Sequence, residues 1–422
     1  MKPYPGYKES GVEWLGQIPE GWTEGALRQF TDYTVGWTPS TDVAENFDGE
    51  MLWANISDLN AKTIRGTAKR ISAGAIAERR AVAVPAGSLL FSFKLSVGAV
   101  SMTETEMYTN EAIAAFRDTD RLLVEYAYYA LPLFVTWNSS FNIYGARILN
   151  QQLIRSAPLP VPPLAEQQGI AAYLDRETAQ IDELVGEQEA LIGSLAERRQ
   201  SVITSVVTSG VGGADSGARS STQLKRVADV QTGITLGSAP DEGVEVAYLR
   251  VANVQAGWLD LETVKTLTVR PEELLRHSLR PGDVLMTEGG DLDKLGRGAI
   301  WGGAIEPCIH QNHVFAVRCG NELSNEFLTY WMDALPARQF FRNNAKKTTN
   351  LAAINSTILG MLPIALPTLS EQRTIVDHLD DQTATIDALT AECRELIVLL
   401  KERRSALISA AVTGKIDVRE TV

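Results

Sequence analysis

A stretch of 54 residues occurs twice in this chain of 422 residues. Residues 158–211 align without a gap to residues 363–416 at a constant offset of 205, and 23 of the 54 positions are identical. The identical runs include the triplets Glu197-Arg198-Arg199 and Glu402-Arg403-Arg404. A repeat of this length means that one structural element is encoded twice, so the fold must provide two equivalent places for it.

Each copy of the repeat predicts a long helix. Prolines stand at its start, where they favour extended backbone, and about 40 residues without proline follow. Apolar residues recur in heptads on two positions, which is typical of a coiled coil. We expect the seam to consist of Leu174, Ile181, Leu184, Leu191, Leu195 and Val202 in the first copy, and of Leu379, Ile386, Leu389, Leu396, Leu400 and Leu407 in the second.

The simplest way to bury two equal seams in one chain is to pack the two helices against each other. If they run antiparallel, the tandem repeat forms a pseudo-twofold particle with the other domains at opposite ends. Each helix of about 40 residues is about 60 Å long at 1.5 Å per residue. Two separate amphipathic helices, each on its own domain, are the alternative interpretation.

The segments outside the helices are of domain size and faintly similar to each other. Short β-rich runs between Gly, Pro and Asp turns predict α+β domains dominated by strands. The predicted order is a first globular domain with an N-terminal lead-in (1–157), a first helical region (158–208), a Gly/Ser linker (209–222), a second globular domain (223–362), a second helical region (363–416) and a C-terminal tail (417–422).

Composition excludes several classes of protein. Hydrophobic residues make up 45% and charged residues 22% of the chain, which indicates a folded protein. No apolar run of about 18 residues and no signal peptide occur, so neither a membrane protein nor a secreted one is expected. The three cysteines, Cys308, Cys319 and Cys393, are too few for a disulfide framework and fit a cytoplasmic location.

The net charge of −13 argues at first sight against a nucleic-acid partner. Residues 158–211 and 363–422, however, hold 10 Lys and Arg against 18 Asp and Glu, whereas the remaining residues, about 308, hold 29 against 34. The acidity per residue is therefore concentrated in the helical regions, and the globular domains remain compatible with binding to phosphates.

The sequence lacks the motifs of an autonomous enzyme. It has neither the Asn/Asp-Pro-Pro-aromatic motif of an adenine methyltransferase nor a G-x-x-x-x-G-K-[ST] loop. Trp301 stands where the third glycine of a G-x-G-x-x-G motif starting at Gly296 would be. Cys308, His310, His313 and Cys319 lie close together in the sequence but without the paired spacing of a structural zinc site. We predict no catalytic residue, no metal and no cofactor in this chain.

The repeat and the lead-in resemble the specificity subunits of type I restriction-modification systems. The similar runs are LAEQQ and LSEQR, IDEL and IDAL, and LAERRQSVITSVVTSG and LKERRSALISAAVTGKI; residues 7–16 and 18–22 look like the family's N-terminal lead-in. The resemblance implies two target recognition domains, each reading one half of a bipartite site in double-stranded DNA. It also implies that the coiled coil sets the spacing between the two halves.

The resemblance implies protein partners as well. In this family the helices dock two modification subunits, which use S-adenosylmethionine to methylate adenine. Two restriction subunits, motor-nucleases that use ATP and magnesium, can join them, while the specificity subunit itself does no chemistry. Three alternatives stay open: a methylation-only complex, a coiled-coil scaffold that binds proteins instead of DNA, and an autonomous enzyme.

Candidate DNA contacts are basic clusters, which bind phosphates, and polar or aromatic residues in turns, which can reach base edges. In the first domain we select Trp37, Thr38, Lys62, Arg65, Lys69, Ser92, Lys94, Tyr144 and Arg147. In the second domain we select Thr235, Arg250, Thr287, Glu288, Lys294, Arg297, Arg342, Lys346 and Lys347.

Overall fold

The computed structural model describes residues 2–141, 143, 145, 147–213, 221–237, 242–290, 295–347 and 352–419. The chain divides into two compact units: unit 1 is Met1–Glu187 with Leu396–Val422, and unit 2 is Gln188–Glu395. Each of two long helices therefore contributes one half to each unit. Half of the predicted linker, 214–220, and the last three residues of the predicted tail, 420–422, lie outside the described residues.

Unit 1 takes its strands and its shorter helices from the part of the chain before the first long helix. The strands are β1 (Tyr7–Glu9), β2 (Gln17–Pro19), β3 (Thr23–Ala26), β4 (Tyr33–Val35), β5 (Met51–Ala54), β6 (Thr63–Ile64), β7 (Lys69–Ile71), β8 (Leu89–Ser92), β9 (Val100–Thr103), β10 (Tyr108–Thr109), β11 (Ile113–Phe116), β12 (Ser140–Phe141), β13 (Arg147–Ile148) and β14 (Pro158–Val161). The helices are α1 (Ala73–Arg79), α2 (Val124–Trp137), α3 (Gln151–Ser156) and the first half of α4 (Leu164–Ser209).

Unit 2 follows the same plan. Its strands are β15 (Ser221–Gln223), β16 (Ala228–Thr232), β17 (Val244–Leu249), β18 (Lys265–Val269), β19 (Val284–Thr287), β20 (Gly289–Gly290), β21 (Gly298–Ile300), β22 (Cys308–His310), β23 (Val314–Cys319), β24 (Lys346–Lys347), β25 (Ala352–Ala353) and β26 (Pro363–Ala365). Its helices are α5 (Pro271–His277), α6 (Asn325–Asp333), α7 (Leu335–Asn344), α8 (Ser356–Gly360) and α9 (Leu369–Val412), whose second half belongs to unit 1.

Four strands of the main sheet and all three strands of a smaller sheet correspond between the two units. The main sheet has the order β4-β11-β8-β9-β6 in unit 1 and β16-β23-β19-β21 in unit 2. A smaller sheet has the order β10-β5-β7 in unit 1 and β22-β17-β18 in unit 2. In both smaller sheets the middle strand pairs in parallel with one neighbour and antiparallel with the other. The predicted α+β class with two strand-rich domains is confirmed.

The middle strand of each main sheet is buried on both faces. In β8, Leu89 and Phe91 face the cluster that contains helix α2, while Leu90 faces a second cluster. In β19, Val284 and Met286 face the helix side and Leu285 faces the other side. Successive side chains of a strand point to opposite faces, so a continuous apolar run is what a strand between two cores requires.

The prolines at the start of each repeat form strands, and the long helices begin after them. Strand β14 pairs with β3, and β26 pairs with β15, so each repeat is anchored to the beginning of its own domain. Helix α4 then runs for 46 residues and α9 for 44 residues. No helix in the part of the chain that the structure describes is long and apolar enough to span a membrane.

The two long helices are antiparallel within each unit. In unit 2, Arg199 Nε donates to Asp387 Oδ1 at 3.0 Å. In unit 1, Arg404 Nε donates to Asp182 Oδ1 at 2.9 Å. These are the same pair of repeat positions with the two helices exchanged. In unit 2, Leu195, Ile386 and Cys393 also share one buried cluster. The predicted antiparallel coiled coil is therefore confirmed.

The two predicted rows of seam residues differ in how far they are buried. Leu174, Ile181, Leu195, Leu379, Ile386 and Leu400 are buried, and Val202 and Leu407 are half-buried. The prediction is wrong for the other row, because Leu184, Leu191, Leu389 and Leu396 are 43–45% exposed. The contact line of a two-helix pair is narrow, so an apolar stripe wider than that line leaves its second row on the surface.

Candidate nucleic-acid interface

Three connections emerge at one end of the main sheet of unit 1, which we call the loop end of unit 1. They are residues 36–38 after β4, 93–99 between β8 and β9, and 110–112 before β11. Backbone hydrogen bonds tie them together: Trp37 N donates to Thr109 O at 2.9 Å, and Phe93 N donates to Ala112 O at 3.0 Å. The position of each connection is therefore set by its neighbours.

Unit 2 has the same arrangement, its loop end, formed by residues 233–235, 288–297 and 311–313, of which 291–294 lie outside the described residues. Ile234 N donates to His310 O at 2.8 Å, and Glu288 N donates to His313 O at 2.9 Å. These bonds join the same positions as their counterparts in unit 1. The two units thus build one backbone frame from different sequences.

A glycine permits the first connection in each unit. A Cβ atom on Gly36 would lie 1.8 Å from Thr109 O, and one on Gly233 would lie 2.1 Å from His310 O. Any other residue would push the connection off the neighbouring strand. The close approach places Thr38 and Thr235 at equivalent exposed positions.

Five candidate residues of the first domain lie at or beside the loop end of unit 1: Trp37, Thr38, Ser92, Lys94 and Arg147. The Thr38 hydroxyl donates to Glu111. That hydrogen bond, together with the nearby charge of Lys94, lowers the pKa of Glu111. Thr38, Glu111 and Lys94 therefore form one polar group.

The hairpin β12–β13 lies beside this group. Arg147 Nη1 donates to Thr136 O at 2.9 Å, and a Cβ atom on Gly98 would lie 3.0 Å from Thr136 Oγ1. Ser92 is fully buried, and its hydroxyl donates to Lys94 O at 2.9 Å. Ser92 therefore stabilises the connection through a buried hydrogen bond and is not part of its surface.

The basic residues Lys62, Arg65 and Lys69 lie outside the three connections of the loop end. Lys62 is paired with Asp175 of helix α4, and Arg65 is paired with Glu104. Lys69 is exposed on β7, 5.7 Å from the centre of the Phe47 ring. Tyr144 lies outside the described residues.

In unit 2 a small sheet brings the candidates together. Strand β25 pairs with β20 on one side and with β24 on the other, so Lys346 and Lys347 lie two strands from residues 289–290 in the same sheet. Both lysines are exposed. Glu288 precedes β20 and accepts a hydrogen bond from His313 Nδ1 at 2.5 Å. The loop end of unit 2 therefore combines a carboxylate–imidazole pair with two ammonium groups.

The remaining candidates of the second domain differ in exposure. Thr287 is buried, and its backbone N donates to the carbonyl of half-buried Arg297 at 3.1 Å. Arg250 is half-buried and donates to Thr263 O at 3.4 Å. Arg342 is exposed on helix α7, and Lys294 lies outside the described residues.

Two buried glutamines that the sequence did not single out attach each domain to its helix. Gln167 accepts a hydrogen bond from Leu123 N at 2.9 Å and donates to Arg121 O at 2.7 Å and to Pro162 O at 2.8 Å. Gln372 makes the same three bonds in unit 2, with Ser324 N at 2.8 Å, Glu322 O at 2.8 Å and Pro367 O at 2.9 Å. Their identity at one repeat position was the available signal.

The cysteine and histidine residues near β22 have other contacts. Cys308 is buried with its thiol facing Ile309 O, and His310 Nδ1 donates to Val314 O at 2.6 Å. Within the described ranges, no three His, Cys, Asp or Glu side chains are arranged to hold a metal ion. Cys393 is buried between the long helices.

We expect His310 to make the stability of unit 2 depend on pH. Burial lowers its pKa to about 4, whereas an unfolded histidine titrates near 6.5, about 2.5 units higher. As the pH falls from about 6.5 to about 4, the unfolded state binds the proton first, so stability present above this window is lost within it. We expect a loss of about 2 kcal/mol at pH 5 relative to pH 7.

Hydrogen exchange in β23, converted to opening free energies at both pH values, measures this loss. His310→Phe should lack it, although the variant also loses the bond to Val314 O at every pH. An equal pH dependence in both proteins would show that another group is responsible.

Comparison with known proteins shows what this chain is similar to. Residues 19–192 match the model of a family described as the type I restriction modification DNA specificity domain. Over these residues the chain is similar to the DNA specificity domain of type I restriction-modification systems. The matched residues run from the end of strand β2 to residue 192 of helix α4. The resemblance that the helical repeat indicated is therefore confirmed.

Several specificity subunits are similar to this chain. The EcoKI specificity subunit of Escherichia coli K12 is 25% identical over 270 residues, which cover 61% of this chain and 57% of that protein. The EcoBI specificity subunit of E. coli is 23% identical over 323 residues, covering 70% and 66%. This chain thus spans between half and two thirds of the length of those relatives.

Two solved structures share its fold. One, from work on complex assembly and conformational transition of the type I R-M system, has a TM-score of 0.73 and 18% identity, and covers 94% of this chain and 99% of that one. The other is the HsdS subunit of Thermoanaerobacter tengcongensis, with a TM-score of 0.52, 18% identity and coverage of 94% and 98%.

Proposed function

We propose that this chain is a type I specificity subunit that reads a bipartite DNA site, one half with the loop end of each unit. The observation that carries the proposal is the pair of equivalent backbone frames with different side chains. Unit 1 presents Thr38, Glu111 and Lys94, and unit 2 presents Thr235, Glu288 and His313. Two readers of different half-sites need a common geometry for docking and different groups for the bases.

The side chains at the loop ends have the chemistry that DNA contact requires. Exposed Lys94, Arg147, Lys346 and Lys347 carry positive charge for phosphates. Glu111 and Glu288 can accept hydrogen bonds from the amino group of cytosine. The acidic helical regions lie outside the loop ends. They carry most of the net negative charge of the chain, and their net negative charge per residue is higher than that of the globular domains.

The long helices serve the proposal in two ways. Their lengths of 46 and 44 residues would set the spacer between the half-sites. Leu184 and Leu191 on helix α4, and Leu389 and Leu396 on helix α9, are exposed apolar side chains on which modification subunits can dock. Methylation of adenine with S-adenosylmethionine, and cleavage by motor-nuclease subunits with ATP and magnesium, belong in this proposal to the partners. A cytoplasmic location is part of it.

Genome-wide mapping of methyladenine tests the proposal. Cells that express this chain with a modification subunit are compared with cells that lack the chain. We expect one new motif of two short half-sites around a fixed gap, methylated on opposite strands. A stable complex without any new motif would overturn DNA reading and favour the protein scaffold.

Removing two charges at one loop end gives a quantitative prediction. The double variant Lys346→Ala/Lys347→Ala should bind target DNA more weakly, and the slope of log K against log salt should flatten by about 2, because two phosphate contacts are lost. Fluorescence anisotropy at several salt concentrations measures both effects.

The matched control for this pair is Lys225→Ala/Arg226→Ala. These exposed residues precede β16, whose other end leads into the loop end of unit 2. The control should keep the affinity and the slope of the unmodified protein. Equal slopes for all three proteins would exclude a contact of Lys346 and Lys347 with phosphate.

A further inference from the structure

Leu95 has a conformation that leucine rarely adopts and an exposure that leucine rarely has. Its φ angle is +57°, in the left-handed region, where the Cβ atom of an ordinary residue is crowded. Its side chain is 92% exposed at the loop end of unit 1. The strained backbone therefore holds an apolar side chain out in solvent.

Backbone hydrogen bonds hold the connection around Leu95 in this conformation. Ser92 N donates to Ala99 O at 2.8 Å, and Gly98 N donates back to Ser92 O at 2.9 Å. Inside this closed connection, Val97 N donates to Leu95 O at 2.9 Å. A non-glycine residue persists in the left-handed region only when its surroundings determine it in this way, and such residues cluster at functional sites.

Folding alone does not call for leucine at this position. Phe93 and Glu288 make the equivalent bonds to Ala112 and His313, so Leu95 corresponds to Gly290 of unit 2. Gly290 also has a positive φ angle, +148°, which glycine adopts without crowding. A glycine would serve the backbone of Leu95 as well, so the reason for leucine must lie in what its side chain meets.

We propose that Leu95 is a wedge that enters the DNA duplex at the first half-site and unstacks one base step. The inference rests on the proposed function. Proteins that kink DNA insert apolar side chains of this kind between base pairs. Lys94 lies next to Leu95, and Arg147 lies on the hairpin beside the same connection, so cationic groups are available for the phosphates around the step. Pyrimidine–purine steps unstack most easily, so the first half-site should contain one at the wedge.

The test uses the complex of this chain with its modification subunit and the DNA site found by methylation mapping. 2-Aminopurine replaces successive bases of each half-site in turn. We expect a rise in fluorescence at one step of the first half-site that disappears in Leu95→Gly. The variant should bind the site about tenfold more weakly, because the contact of one leucine side chain is lost.

Leu95→Gly should fold normally, since glycine suits the positive φ angle. The control Val82→Ala removes part of another side chain of unit 1 that is 76% exposed. Val82 precedes β8, outside the three connections of the loop end, and the control should bind and unstack DNA as the unmodified protein does.

The outcomes separate the wedge from the proposed function. If the unmodified complex binds no specific DNA, the proposed function fails. If it binds and Leu95→Gly gives the same affinity and fluorescence, the wedge is excluded while DNA reading stands. Weaker binding by the variant with unchanged 2-aminopurine fluorescence would also overturn the wedge, because Leu95 would then be a groove contact that leaves the bases stacked.

Discussion

Replacing Gln167 with alanine is expected to release the start of α2 from helix α4, at a cost of about 3 kcal/mol or more in local opening free energy. The amide of Gln167 is completely buried and makes three hydrogen bonds to backbone groups of unit 1. Alanine leaves one N–H and two carbonyl groups without their partner, and each buried unsatisfied group costs about 1–3 kcal/mol. Hydrogen exchange at the Leu123 amide reports the opening directly.

The repeat supplies the controls for this prediction. Gln372→Ala should speed exchange at the Ser324 amide and leave Leu123 unchanged, whereas Gln167→Ala should do the reverse. The neighbouring Gln168 is exposed, so Gln168→Ala should affect neither amide. Slow exchange at Leu123 in the Gln167→Ala variant would mean that other contacts hold this junction.

Lengthening both long helices by one heptad is expected to lengthen the spacer of the DNA site by about three base pairs. Seven residues add about 10.5 Å to a helix, and one base pair of DNA rises about 3.4 Å. The insertions go between Glu187 and Gln188 and between Glu395 and Leu396, where the two units divide. Each unit then keeps its own helix pairing, while the seven-residue repeat of the heptads continues.

Methyladenine mapping reads the result, which rests on the proposed function. Both half-site sequences should stay the same, because no residue of either loop end changes. An insertion in α4 alone is the control, and we expect it to impair the complex because the antiparallel helices no longer match in length. An unchanged spacer with the double insertion would exclude the helices as the measure of the gap.

The helices were more predictable than the face they bury. Heptad periodicity is a local property, and it indicated long helices with an apolar stripe. It did not show how wide a stripe two helices cover, so Leu184, Leu191, Leu389 and Leu396 were assigned to a seam from which they are exposed.

The candidate interface was also only partly predictable from the sequence. Trp37, Thr38 and Lys94 could be selected as candidates because they lie in turns that follow strands, and the ends of neighbouring strands meet. Lys62 also looked like a phosphate contact in the sequence. Its charge is taken up by Asp175, 113 residues further along the chain, a pairing that no local pattern reveals.

The sequence by itself determined the two-fold repetition of this protein, its long helices and its α+β class. These features depend on periodicity and on similarity between segments. Both can be recognised in the sequence without knowing which distant residues are in contact. Only the tertiary structure decided which side chains lie exposed at the loop ends and which are buried or paired with other residues. That outcome depends on close approach between segments that are distant in the sequence. Gly36 lies against Thr109 and Gly233 against His310, and because glycine has no Cβ atom, the connection at each loop end can pack directly on the neighbouring strand.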